Sequence, residues 1–116
     1  MERARVALDS LERLAIQDIR ASWLDADRAR AQVRARDETV ALQRELLRVA
    51  EIRYRVGTGT ALAVAQAQRD LLGSELSLRE ATVRFRQANT DLLLQSGTLL
   101  LHRAIDSPGQ EPLHNL

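Results

Sequence analysis

No cysteine occurs anywhere in this sequence, which excludes disulfides and thiolate metal sites. Aromatic residues are almost as scarce: one Phe, one Tyr and one Trp in 116 residues. That is too few for base-stacking platforms and fewer than a globular core of this size normally holds. Lysine is missing too, so all 17 basic residues are Arg. They are interleaved with 16 acidic residues, giving a net charge of +1 and no basic patch of the kind that binds nucleic acid. No run approaches the ~18 apolar residues that a membrane-spanning helix needs. The first ten residues carry Glu2, Arg3, Arg5 and Asp9 with no apolar stretch behind them, which is not the pattern of a signal peptide. Proline is confined to Pro108 and Pro112, so nothing before them forbids helix.

What is present is Ala, Leu, Arg, Glu and Gln in helical periodicity, the composition of extended helical packing. Ile19, Ala26, Val33, Val40, Leu47 and Tyr54 recur every seventh residue. A heptad row held this long predicts a coiled-coil helix over about residues 3–56, because 3.5 residues per turn keeps one stripe facing a partner. A second row, Val64, Leu71, Leu78, Phe85, Leu92 and Leu99, predicts another helix over about residues 60–105. Ala67, Ser74, Ala81 and Ala88 lie three residues after its first four members. Small residues beside large ones let two helices approach closely. Gly73 and Gly97 fall inside this second pattern, each weakening it by up to ~1 kcal/mol relative to Ala; Gly97 could mark a bend.

The two patterns meet at Tyr54-Arg-Val-Gly-Thr-Gly-Thr60. Glycines at 57 and 59 can end a helix in the left-handed region and reverse the chain, and Thr60 is a good N-cap. The expected fold is all-α: a long antiparallel coiled-coil hairpin over residues 1–105, with its tip at 57–60 and a disordered tail at 106–116. Each helix also carries a further apolar row, Leu42, Val49 and Val56 on the first and Leu62, Leu76 and Val83 on the second. These rows fit either a broad core face or a layer of helices with neighbours on both sides. Asp9–Arg13, Glu51–Arg55, Glu75–Arg79 and Glu80–Arg84 place an acid four residues before a base, the arrangement of solvated helix faces.

Signs of chemistry are few. His102 and His114 belong to no recognisable metal-ligand set and are expected on exposed surface. Ser10, Ser22, Ser74 and Ser77 have no nearby His to activate them. The Gly-Thr-Gly tip lacks the Lys and the preceding strand of a phosphate-binding loop. No enzyme, cofactor or metal is expected. The tip differs from the helices in one respect: Tyr54 and Val56 flank a polar turn, and apolar residues exposed around a loop suggest docking.

The segment from Tyr54 to Gln68, with Leu71-Leu72 and Glu75-Leu76 after it, resembles the outer-membrane efflux protein (TolC) family. That family carries Tyr-x-x-Gly, a few polar residues, Leu/Val-x-Val-x-x-Ala-Gln and Leu-Leu-x-x-x-Leu. The resemblance covers roughly residues 15–105 and is strongest over 51–78. It implies a homotrimer with a β-barrel in the outer membrane and a long periplasmic α-barrel, each protomer having two similar halves. This chain is similar to the helices of the second half. The resemblance also implies a passive conduit without cofactors, working with a periplasmic adaptor protein and an inner-membrane pump. Tyr54, Val56, Gly57, Thr58, Gly59 and Thr60 would then form the adaptor-contacting tip. Ala63 and Gln66 would stand at the tunnel entrance, where family members often have Asp, so no acidic ring is implied from this half.

One hairpin without strand-forming segments cannot build a membrane pore by itself, so the chain is expected to be a fragment of a longer channel protein. Two other readings of the hairpin are a periplasmic adaptor hairpin and a free-standing coiled-coil scaffold. The first would show an Arg and a Leu-Ser around the turn with flanking strands; this sequence has Arg53 and Arg55 but neither Leu-Ser at the turn nor flanking strands.

Overall fold

The computed structural model describes residues 2–106. Two helices, α1 (Glu2–Arg55) and α2 (Ala61–Asp106), run antiparallel and are joined by the turn at 56–60. The fold is thus the all-α hairpin read from the heptads. Val56 lies in the turn and not in α1, and Asp106, expected to open the tail, is the last residue of α2. The remainder of the expected tail, His114 included, lies outside the described residues. Glu2 in the first turn of α1 and Arg53 and Arg55 in its last complement the helix dipole. α2 continues without interruption through Gly73 and Gly97. Ser74, Thr82 and Thr98 each return a hydroxyl to a carbonyl three or four residues back, at 2.8 Å, so these polar side chains stay satisfied within the helix.

The chain divides into two compact units. In the unit Asp27–Arg86, which holds the turn, Val40 and Ala81 form the buried centre at 2% and 3% exposure. Val33 and Leu47 of the first heptad row, and Val64, Leu71, Leu78 and Phe85 of the second, are half-buried beside them. The small residues Ala67 and Ser74 share that face. Two cross-helix contacts rim the seam. The Arg30 guanidinium lies 5.9 Å from the Phe85 ring centre, a cation–π contact worth about 0.5–1 kcal/mol at an exposed site. Glu75, expected to pair with Arg79 on its own helix, instead faces Arg44 of α1 at 3.8 Å. Along α1, Arg48 donates from Nε and Nη2 to Glu45. That hydrogen bonding, and then the guanidinium charge, holds the Glu45 carboxyl below its ordinary pKa.

In the unit formed by 2–26 and 87–106, Ala26 is buried and Ile19, Ala88, Leu92 and Leu99 are half-buried. Ser22 Oγ donates across to Gln95 Oε1, and Arg103 Nε reaches Glu12 at 3.3 Å. His102, expected on an exposed surface, is half-buried on the seam side of α2. It lines a groove with Leu11, Ala15, Asp18, Gln95, Thr98 and Leu99.

The further apolar rows are not part of either buried seam. Leu42, Val49 and Val56 are 58%, 36% and 68% exposed, and Leu62, Leu76 and Val83 are 67%, 50% and 52% exposed. Within one chain this removes the broad-core reading: a seam closes between α1 and α2, and these rows are left without a partner.

Candidate functional site: the hairpin tip

The last turn of α1 ends in a hydrogen-bonded cap. Gly57 has φ +84°, the left-handed region that a residue without Cβ enters at little cost. From there Gly57 N–H donates to the Tyr54 carbonyl at 3.2 Å and Thr58 N–H to the Arg53 carbonyl at 2.9 Å. Those are the two bonds of a Schellman motif, which satisfies carbonyls that a helix end otherwise leaves bare. Gly59 N–H donates to the same Arg53 carbonyl, also at 2.9 Å, and Thr58 Oγ1 donates to it at 3.3 Å. The Arg53 carbonyl is therefore the point around which the turn folds.

Gly59, expected like Gly57 to use left-handed backbone, does not have a positive φ; its reason to be glycine is steric. A Cβ placed on it would come within 2.9 Å of Arg53 Cβ and 3.2 Å of the Arg53 and Tyr54 backbone. The turn crosses α1 so closely that any side chain there must displace it. Thr60 then opens α2 as expected: its Oγ1 accepts from Ala63 N–H at 3.1 Å, the N-cap bond to N3. Replacing Thr60 with Ala is expected to cost about 1 kcal/mol, read as an earlier urea midpoint with an unchanged slope.

The sequence-expected tip residues fall into two sets. Thr58, Gly59, Thr60 and Ala63 line one groove of 440 Å³ together with Leu46, Val49, Ala50 and Arg53 of α1. Tyr54, Val56, Gly57 and Gln66 do not line it; Tyr54 and Val56 are 53% and 68% exposed, and Gln66 is exposed on the first turns of α2. Leu46, Ala50 and Arg53 were not singled out as tip residues from sequence. They belong to α1 by pattern, and only the fold-back of Gly59 onto Arg53 brings them beside 58–63. Among the described residues there is no cluster of His, Asp, Glu or Cys that could hold a metal. No described helix is long and apolar enough to cross a membrane.

Residues 1–98 match the family model for outer membrane efflux proteins, and the chain belongs to that family. No curated protein and no solved structure matches it. Membership implies an outer-membrane efflux channel role, within an efflux complex, in a family of non-enzymatic transporters.

Proposed function

We propose that this hairpin is a wall segment of the periplasmic α-barrel of an outer-membrane efflux or type I secretion channel. The observation that carries the reading is the pair of unpartnered apolar rows. Leu42 on α1, Val56 in the turn just beyond it, and Leu62 and Val83 on α2 are all more than half exposed although they lie at heptad spacing, with Arg69 as the one break in the α2 row. Apolar rows on the flanks of a closed hairpin fit helices that have neighbours on both sides, as in a barrel wall. In such a channel the hairpins of three identical protomers stand side by side, and transported small molecules or proteins pass passively between them. Energy comes from an inner-membrane pump, and no cofactor takes part.

The tip is the end that meets a periplasmic adaptor protein. Tyr54, Val56, Gly57, Thr58, Gly59 and Thr60 supply its contacts and shape, and Ala63 and Gln66 stand at the tunnel entrance. Neither of the last two carries charge, so this half of the entrance places no carboxylate in the path of a cargo. Because the chain has no cysteine, a single introduced one is a clean probe. In a channel that carries this hairpin, Thr58→Cys bearing a short thiol cross-linker is expected to capture the adaptor in intact cells. Thr90→Cys, exposed on α2 away from the turn, is expected not to. Equal capture from both positions would remove the tip from the docking role.

A further inference from the structure

The unit formed by 2–26 and 87–106 holds a groove of 290 Å³ that the tip does not use. Leu11 and Ala15 of α1 and Leu99 of α2 give it an apolar floor, and Asp18 stands on its wall. The other polar side chains of the wall are engaged. Gln95 accepts from Ser22, Thr98 donates to the Leu94 carbonyl at 2.8 Å, and His102 has a partner of its own. Asp18 has neither a hydrogen bond nor an ion pair among the described residues. Its own helix offers it no base, because Leu14, Ala15, Ala21 and Ser22 occupy the positions three and four residues away. Arg103, next in the chain to His102, is held by Glu12 at 3.3 Å. A carboxylate left without a cation beside an apolar floor matches an amphiphile whose apolar body carries one positive charge.

We propose that this groove is a contact site for cationic amphiphilic cargo passing through the conduit. The apolar body lies on Leu11, Ala15 and Leu99, and the positive charge stands against Asp18. This rests on the reading of the hairpin as a barrel wall. Leu11 and Asp18 share a heptad row with Leu46 and Arg53, and Thr98 shares one with Ala63. A heptad row keeps to one side of a supercoiled helix pair, so a wall that turns Ala63 to the conduit turns Asp18 and Thr98 to it as well. The entrance offers cargo no carboxylate from this half, and Asp18 supplies one elsewhere on the wall. Asp18 is exposed, so water screens the pairing and the preference is modest. A modest preference suits a passage that must release what it contacts.

The test uses the whole chain with tetraphenylphosphonium and tetraphenylborate, ions of nearly the same shape and opposite charge. Equilibrium dialysis is expected to show the cation binding about threefold tighter than the anion. Asp18→Asn should erase that difference, and its circular dichroism should match the parent chain. Asp91→Asn, which removes an exposed carboxylate outside the groove, should keep it. In planar bilayers, a channel carrying this hairpin with Thr98→Cys as its single cysteine should lose conductance when a bulky methanethiosulfonate reagent reacts there. Binding of neither ion, equal binding of both, or a loss in Asp91→Asn as large as in Asp18→Asn would overturn the site. A cation preference in solution with conductance unchanged after labelling would take the groove off the conduit and overturn its cargo role. The barrel-wall reading itself stands or falls separately, on trimer formation.

Discussion

Val40→Asp is expected to unfold the hairpin around the turn, whereas Leu42→Asp, two residues on, is expected to leave a lone hairpin folded. Val40 is 2% exposed and Leu42 is 58% exposed, although both occupy regular heptad rows of the same helix. Putting a carboxylate at Val40 forfeits its burial, worth about 1.5–3 kcal/mol, and leaves an uncompensated charge in the seam, worth about 3 kcal/mol or more. The sum approaches the whole stability of a small domain, which is about 5–15 kcal/mol. At Leu42 an Asp in place of an exposed Leu should change the stability of a single hairpin by no more than about 0.5 kcal/mol. Its effect should fall instead on assembly: a channel carrying Leu42→Asp should yield less trimer in native gels, because the row it interrupts is the one we propose to face a neighbour. Thermal melts by circular dichroism in dilute solution separate the two. If Leu42→Asp lowers the melting temperature as far as Val40→Asp does, the row is buried within one chain and the barrel-wall argument loses its main support.

Gly57→Val in a channel that carries this hairpin is expected to abolish efflux and preserve the trimer. At φ +84° an L residue costs about 1–2 kcal/mol, and a β-branched one is a genuine outlier in that region. The turn cannot keep both bonds of its cap with a valine at this position. It must open, and the surface made by Thr58, Gly59 and Thr60 goes with it. The seam from Val33 to Leu47 and from Leu71 to Phe85 is untouched, so helix pairing and trimer formation should persist. Drug-susceptibility assays read the first half of the expectation and native gels the second. Unchanged resistance with an intact trimer would sink the role proposed for the tip. Gly57→Ala offers a graded version, since Ala carries the same left-handed penalty without the β-branch.

Gly57 and Gly59 look alike in the sequence and differ in the fold. Gly57 was legible from position alone, because a glycine directly after a long helix pattern is the usual left-handed cap. Gly59 was not, since its requirement comes from where the crossing chain meets Arg53. The same crossing made the groove. Leu46 and Ala50 lie on α1 before the turn, and no periodicity ties them to Thr58 or Ala63. Glu75 shows the same limit: spacing along α2 pairs it with Arg79, but the neighbouring helix offers Arg44. Helix–helix proximity decided that contact, and a one-dimensional pattern does not contain it.

By itself the sequence determined the two helices, their order, the turn between them and the face each turns to the other. Those follow from local rules: a 3.5-residue apolar repeat, helix-favouring residues, an absence of proline, and glycine with threonine at the break. Only the tertiary structure decided that the further apolar rows stay open beside the closed seam instead of widening it, because burial depends on what lies opposite. It also decided that Arg53, Thr58, Thr60 and Ala63 share one groove. A surface of that kind is made where the chain returns on itself, and its members have no common spacing to be read beforehand.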